Sequence, residues 1–248
     1  MSEYTKINRE PFPNCTLPEN IDINVWRYMD VYKFNSLINT KSLYLRRADL
    51  LQERFEGTYS REQILDLENW FKLLGQSTIS DIERERRRKD RLNTYISCWC
   101  MSECDLDLMW KGYVQNPPGI AIKSTVRKLI DVCDKAIDHW PIDISTVTYF
   151  DHANGHFINY SGSPIVFFFK DNHFKLDNEI RIVHHPDYSD SPIECVYIPV
   201  DIPELIEEVV IQPKSTKKHM IDIRKKLDDS GFNKIPIVAS RDDRELLA

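Results

Sequence analysis

The stretch FFFKDNHFKLDNEIRIVH, from Phe167 to His184, decides the fold expected of this chain. Its apolar run ends at Lys170, and after a short polar link Asp177, Glu179 and Arg181 occupy alternate positions. Because successive side chains of a β-strand point to opposite faces, these three are expected to share one face while the isoleucines between them enter a core. The pattern therefore predicts a strand that carries two carboxylates and a guanidinium side by side.

A charged row of this kind needs solvent, a partner or a ligand, because an unpaired buried charge is costly. The spacing alone favours a solvated sheet face with an acid–base ladder. The functional interpretation is a binding or catalytic face, and it depends on the motifs that accompany this strand elsewhere in the chain.

The composition describes a chain able to build a core. It has 248 residues, of which 42% are hydrophobic, and a formal net charge of -6. One globular domain is expected, without a generally basic surface for nucleic acid. No apolar run reaches the roughly 18 residues of a membrane span, so we expect a cytoplasmic protein with no membrane partner. Its six cysteines are expected to be free thiols.

Alternation and helical spacing together predict an α+β fold. We expect an irregular arm over residues 1–24, a single domain over 25–240 with a mixed, twisted and split β-sheet and peripheral helices, and a charged tail over 241–248. Residues 60–92 are expected to form a helical insertion. Its first helix is marked by Ser60 and Gln63, which have the spacing of a capping box.

Short apolar or aromatic runs predict the strands, and amphipathic runs predict the helices. VYKF at 31–34, SLYLRR at 42–47, TYISCWC at 94–100 and GIAIK at 119–123 are interpreted as strands. A helix is expected after Ser124 or Thr125, and another from Ser215 to Asp229, with Gly231 as its stop.

The basic run of residues 83–91 and the cysteine cluster are each open to two interpretations. Glutamates alternate with arginines at helical spacing, which favours ion pairs along an exposed helix, although a phosphate-facing surface stays open. Cys98, Cys100 and Cys104 lack the second pair that a zinc site needs, and His152 and His156 are expected to be loop residues. No metal is predicted.

The order of the short motifs resembles a known family. YKF, RFEG, SCW, MWKGY, GIAIK, FFFK and DNEIR, followed by VVIQP and IVAS, are similar to an uncharacterised bacterial and phage-associated family known only as a domain of unknown function. The resemblance runs from about Val31 to Ser240. It implies no activity.

A second resemblance, to the ADP-ribosyltransferase superfamily, does imply one. Those enzymes hold NAD in a cleft of a split sheet, with an Arg or His at the end of the first strand, a Ser or Tyr in a middle strand and a late catalytic Glu. Val31–Phe34 resembles the first motif, with Lys33 in place of Arg or His. Ile96–Cys98 resembles the second through Ser97, and Asp177-x-Glu179 resembles the late acidic pair.

The chemistry expected from this resemblance is cleavage of the bond between nicotinamide and ribose. Positive charge develops on the ribose ring, and a carboxylate such as Glu179 would stabilise it, while Asp177 would orient or deprotonate the acceptor. Four cations are candidates for the pyrophosphate of NAD: Lys33, Arg46, Arg47 and Arg181. Tyr32, Trp99, Trp110 and Tyr113 are candidates for ring stacking, although helical spacing favours core packing for Trp110 and Tyr113.

The sequence thus predicts an ADP-ribosyltransferase-like enzyme that uses NAD as substrate. It would be a defence or toxin-type effector that modifies a protein or nucleic-acid target. Two alternatives stay open: a non-catalytic domain that recognises protein or nucleic acid, and a metal-dependent nuclease or hydrolase that uses the same acids.

Overall fold

The structure is a computed structural model, and it describes residues 16–51, 53, 56–75, 79–136, 140–153, 155 and 164–241. In chain order the helices and strands are β1 Asn24–Asp30, α1 Val31–Thr40, β2 Ser42–Arg47, α2 Arg61–Leu73, α3 Ile79–Leu92, β3 Tyr95–Met101, α4 Asp107–Tyr113, β4 Gly119–Thr125, α5 Val126–Ala136, β5 Ile142–Thr146, β6 Thr148–Phe150, β7 Phe169–Asp171, β8 Glu179–His184, β9 Cys195–Pro199, α6 Ile202–Leu205, β10 Glu208–Ile211, α7 Lys217–Asp229 and β11 Ile237–Ala239. Short 3₁₀ helices lie at Ala48–Leu50, Pro164–Phe168 and Asn172–Asp177.

The expected α+β class is confirmed. Over the described ranges, nine strands join a mixed and largely antiparallel sheet, while β6 and β7 form a small parallel one. The chain divides into two compact units built from separate segments. The first contains the described residues of Met1–Leu17, Leu45–Ser97 and His139–Val196, and the second those of Pro18–Tyr44, Cys98–Asp138 and Tyr197–Ala248.

In the first unit, β8 is the central strand. It pairs antiparallel with β5 from Ile142↔His184 to Thr146↔Ile180, and it also pairs with β3. All six residues of β8 are buried, which is the pattern of a strand covered on both faces. The 3₁₀ helix Pro164–Phe168 places Phe167 and Phe168 in the same core.

The second unit is organised around the long antiparallel pair of β1 and β4, whose register runs from Asn24↔Thr125 to Asp30↔Gly119. β10 pairs antiparallel with β4, and β11 pairs parallel with β10. Its core includes Trp26, Tyr28 and Trp110, and the rings of Tyr28 and Trp110 meet edge to face at 4.8 Å. The expected core position of Trp110 is confirmed, whereas Tyr113 is 37% exposed.

The helix ends follow the sequence signals closely. Ser60 Oγ accepts from the Gln63 amide at 3.1 Å and Gln63 Oε1 accepts from the Ser60 amide at 3.2 Å, so the capping box before α2 is confirmed. α7 begins after Thr216, whose hydroxyl accepts from the His219 amide, and Gly231 follows its end with φ +83°. None of the helices in the described ranges has the length and apolar content needed to cross a membrane.

Two expectations about secondary structure are wrong, and one strand was not predicted. VYKF forms the first turn of α1. The strand in this part of the chain is β1, Asn24–Asp30, which lies directly before VYKF and for which no element was predicted. Asp177 ends a 3₁₀ helix and does not lie in the strand with Glu179 and Arg181. The strand β5, over Ile142–Thr146, was not predicted, because isoleucines and polar residues alternate there over only five positions.

Candidate functional site

Glu179, the first residue of β8, has both carboxylate oxygens bound by cations. Oε1 accepts a hydrogen bond of 2.7 Å from Lys170 Nζ, and Oε2 accepts one of 2.8 Å from Arg181 Nε. The amide of Glu179 donates to the hydroxyl of Tyr149 at 2.9 Å. Only 2% of Glu179 is exposed. The row predicted from alternation is therefore real for Glu179 and Arg181, but it lies in the interior and not on a solvated face.

Arg181 connects this carboxylate to a distant part of the chain. Its Nη1 and Nη2 donate to the two oxygens of Glu56 at 2.6 and 3.1 Å, which is a bidentate pair. Nη1 also donates to the carbonyl of Phe167 at 2.6 Å. Glu56 and Arg181 are 2% and 1% exposed. Hydrogen bonds from the guanidinium to each of these acceptors offset the cost of burying the charges.

Lys170 is the second cation of the cluster. Besides Glu179, its ammonium donates to Asp177 Oδ2 at 2.9 Å, and Glu53 Oε2 lies 3.9 Å away. The ammonium also lies 4.3 Å from the ring centroid of Phe174. Asp177 thus joins the site although it is outside the strand, because Lys170 contacts both acids.

Two unusual backbone positions bring these residues together. Gly57 has φ +64°, and a Cβ at this position would lie 2.2 Å from Cε1 of Phe167, so the chain passes directly against that ring to place Glu56. Asn178 has φ +43° between the 3₁₀ helix and β8. Asparagine tolerates this left-handed conformation, and the turn lets Asp177 and Glu179 reach one ammonium group.

We refer to Glu53, Glu56, Lys170, Asp177, Glu179 and Arg181 as the acidic cluster. It combines four carboxyl groups with two cations. Burial by itself would raise the pKa of Glu179, but the charges of Arg181 and Lys170 and their hydrogen bonds outweigh it and hold the pKa well below its usual range. Burial, with the neighbouring Glu56 charge, raises the pKa of Glu53 to about 7.

The opposite pKa shifts of Glu179 and Glu53 suit the cluster to acid–base chemistry. Two carboxyl groups whose environments push their pKa values apart are the usual arrangement for acid–base work at neutral pH. One group remains ionised and can stabilise positive charge, while the other exchanges a proton. Glu179 has the first property and Glu53 the second.

Glu53, Glu56 and Lys170 were not among the residues proposed from sequence. Lys170 was visible only as the end of an apolar run, and Glu56 only as part of the RFEG motif. A buried lysine after three phenylalanines is unusual, because lysine is almost never fully buried without a partner. The position of Lys170 after three phenylalanines was therefore the sequence signal that could have indicated a buried ion pair.

The other predicted residues of the first unit lie on β2 and β3. Ser97 is buried on β3. Arg46 is exposed, whereas Arg47 donates to Asp49 at 2.6 Å and to the carbonyls of Pro192 and Ile193 at 3.1 and 3.2 Å. These contacts tie the end of β2 to the 3₁₀ helix that follows it and to the loop before β9. Arg47 therefore has a structural role that the pyrophosphate interpretation did not include.

Tyr32 and Lys33 belong to the second unit and lie in the first turn of α1. Both are exposed, and the Lys33 ammonium lies 5.7 Å from the Tyr32 ring centroid. Since VYKF is helical, Lys33 does not occupy the end of a first strand, and that part of the resemblance is wrong. The first strand is β1, and its arginine is Arg27.

Arg27 is half-buried on β1. Its Nη2 donates to the Tyr44 carbonyl at 2.8 Å, and its guanidinium carbon lies 5.7 Å from the Trp99 ring centroid. It forms no ion pair with any acid in the part of the chain that the structure describes. Burial lowers its pKa to about 10, which reflects a positive charge lacking a carboxylate neighbour.

Within the described ranges, no three His, Cys, Asp or Glu residues are arranged to hold a metal ion. Cys98 and Cys104 are half-buried and Cys100 is buried. His152 is buried with Nδ1 3.6 Å from Asp171 Oδ2. His156 lies outside the described residues.

Comparisons of the chain with protein-family models, with curated proteins and with solved structures gave no match. The features that bear on function are therefore the acidic cluster of the first unit and, separately, Arg27 of the second.

Proposed function

We propose that this protein is an ADP-ribosyltransferase-like enzyme that cleaves the nicotinamide–ribose bond of NAD. The observation that carries the proposal is the state of Glu179, a buried carboxylate kept ionised by Lys170 and Arg181. Departure of nicotinamide leaves positive charge on the ribose ring. A fixed negative charge in a low-dielectric site stabilises such charge far better than water does.

Two further residues support the same proposal. Arg27, on the first strand, has a guanidinium with one hydrogen bond to a carbonyl and no acidic partner among the described residues. Guanidinium groups bind phosphate oxygens in a planar, two-point geometry, which makes Arg27 a candidate phosphate-binding residue of the second unit. Ser97, which is buried on β3, is the residue that we propose as the middle serine.

The recognition-domain alternative receives less support from the acidic cluster. Glu179 and Arg181 bond to each other and to Glu56 and Lys170 in the interior. Glu179 and Arg181 therefore do not form the exposed charged row that the recognition alternative assumes. We propose instead that the acceptor is a protein or nucleic acid in the cytoplasm, with the enzyme acting as a defence or toxin-type effector, and that water accepts ADP-ribose when no target is present.

The test is nicotinamide release from NAD by the wild-type protein, with Arg27→Gln and Arg127→Gln as a matched pair. Arg127 is a surface residue that pairs with Asp22, so its variant controls for the loss of one positive charge. NAD should raise the Tm of the wild type and of Arg127→Gln but not that of Arg27→Gln, since a ligand at a hundred times its Kd adds about 2.7 kcal/mol to the free energy of unfolding.

The proposal fails if the wild-type protein releases no nicotinamide and shows no thermal shift with NAD. If NAD raises the Tm but no nicotinamide is released, the protein would be a nucleotide-recognition domain and not an NAD-cleaving enzyme. A response to Mg²⁺ or Mn²⁺ with nucleic-acid cleavage would favour the metal-dependent nuclease.

A further inference from the structure

Among the described residues of the acidic cluster, Glu53 has the one buried carboxylate oxygen without a hydrogen bond. Its Oε2 is buried and unsatisfied, and the nearest cation is the Lys170 ammonium at 3.9 Å. Its Oε1 accepts a long hydrogen bond of 3.4 Å from the Asp171 amide. The side chain is 7% exposed. A buried carboxylate oxygen without a donor is costly, and protonation removes that cost.

The charges around Glu53 explain why a proton would be held there. The groups that face it are Glu56, Lys170 and Arg181. Arg181 is bound to Glu56 and Glu179, and Lys170 to Asp177 and Glu179, so the two cations are already neutralised by three acids. Glu53 is the fourth acid. The geometry therefore leaves its Oε2 as the position where the cluster gains or loses a proton.

From this orphaned oxygen and its neighbours we propose that Glu53 is the general base of the reaction, accepting the proton of the attacking nucleophile. The proposal deepens the proposed function and rests on it. The nucleophile O–H of water or of an acceptor side chain attacks C1′ of the ribose. The C1′–N bond breaks with its electron pair moving to the nicotinamide nitrogen, and the proton passes to Glu53 Oε2.

In this assignment Glu179 and Glu53 have different roles. Glu179 remains ionised throughout because Lys170 and Arg181 bind both of its oxygens. It stabilises charge and does not exchange a proton. Glu53, whose pKa of about 7 matches a neutral operating pH, performs the transfer that Asp177 was expected to perform. Asp177 instead acts as a positioning residue, since its carboxylate holds the Lys170 ammonium.

The experiment measures kcat/KM for nicotinamide release between pH 5.5 and 8.5 for wild type, Glu53→Gln and Glu103→Gln. Glutamine has the shape of the protonated acid, and Glu103 is an exposed residue outside the cluster. Wild type and Glu103→Gln should share a limb that rises with pH through about 7. Glu53→Gln should lose that limb and about 10²- to 10⁴-fold in rate, the usual contribution of a general base.

A second measurement does not require activity. The folded-state pKa of Glu53 is raised, so the native state holds a proton that the unfolded chain has lost, and stability falls as pH rises through the folded pKa. The Tm of wild type should therefore fall relative to that of Glu53→Gln between pH 5 and 8. Identical pH dependence of the two Tm values would overturn the proposal whether or not the enzyme turns over.

The two proposals fail separately. A wild-type protein with turnover, together with a Glu53→Gln variant that keeps the rising limb, would overturn the role of Glu53 and leave the NAD-cleaving function standing. A wild-type protein that releases no nicotinamide would overturn both the function and the base assignment, even if the Tm data show that Glu53 binds a proton.

Discussion

Lys170 Nζ lies 2.7 Å from Oε1 of Glu179, and both side chains are almost entirely buried. Lys170 comes from β7 and Glu179 from β8, and they are nine residues apart in the chain. The pair couples the small parallel sheet of the first unit to its central strand. A substitution that removes one partner takes one opposite charge from the other inside the protein, although Glu179 keeps Arg181 and Lys170 keeps Asp177.

Lys170→Met should therefore destabilise the protein strongly. Methionine fills a similar volume but leaves Glu179 and Asp177 without their ammonium donor, and breaking a buried pair from one side typically costs about 3 to 5 kcal/mol. Urea unfolding measures the change. Lys218→Met is the control, because Lys218 forms its ion pair with Asp222 at an exposed position and should lose nothing measurable. Equal effects of the two substitutions would show that Lys170 is not a buried partner.

Glu179→Gln should lower the rate of nicotinamide release by about 10²- to 10³-fold, the loss typical of removing one electrostatic contact to a transition state. kcat and kcat/KM should fall together, since the interaction is made mainly in the transition state. The structure also predicts a lower Tm, because Lys170 and Arg181 lose an anionic acceptor. Assays must therefore be made well below the Tm of the variant.

Asp177→Asn should be measured beside Glu179→Gln in the same nicotinamide-release assay. Its carboxylate binds the same ammonium, but Lys170 keeps Glu179 after the change. Turnover should fall less than in Glu179→Gln. A Glu179→Gln variant with wild-type turnover would disprove the catalytic assignment.

Gly57→Ala should destabilise the protein more than Gly75→Ala. Both glycines have positive φ, +64° and +68°, so both substitutions incur the cost of left-handed backbone. Only at Gly57 would the new Cβ meet a neighbour, the ring of Phe167, whereas nothing lies within 4 Å at Gly75. The difference between the two free energies of unfolding isolates the clash, which we expect to be about 1 to 3 kcal/mol. A difference near zero would mean that the loop carrying Glu56 can move away freely.

The arginines of α3 should differ in their effect on stability. Arg86 bonds to Glu83, at 2.5 Å, and to Asp90, at 3.1 Å, and the Arg87 guanidinium lies 4.8 Å from the Tyr59 ring centroid. Arg88 pairs with Glu85 at an exposed position. Substituting Arg86 or Arg87 with Gln should cost about 1 kcal/mol each, while Arg88→Gln should be neutral in thermal melts. A destabilising Arg88→Gln would contradict the geometry.

Asp143→Asn should stabilise the protein at pH 7.5 more than at pH 5. Burial raises the pKa of Asp143 to about 6, so ionisation in the folded state is unfavourable. A raised acid pKa contributes stability that is present below the unfolded value and is lost as pH rises through about 6. The Tm difference between variant and wild type should grow over that interval. A constant difference would show that Asp143 titrates normally.

Local signals in the sequence were sufficient for much of the secondary structure. The capping box at Ser60, the apolar strand around Trp99 and the alternation of Glu179 with Arg181 all depend on neighbouring residues, and all three are observed. VYKF was misassigned because aromatic and β-branched content is only a weak preference, and the burial of Phe34 on one side of α1 overrides it.

The sequence alone determined that Glu179 and Arg181 share a face, since that follows from strand geometry, but not that Asp177 lies outside the strand. Whether the face carrying Glu179 and Arg181 meets water or the interior was decided by the tertiary structure. Glu56 lies 125 residues from Arg181 in the chain. The turn at Gly57, which packs against Phe167, places the Glu56 carboxylate beside the Arg181 guanidinium. Charges enter a core only when partners from elsewhere in the chain neutralise them, and no local pattern specifies those partners.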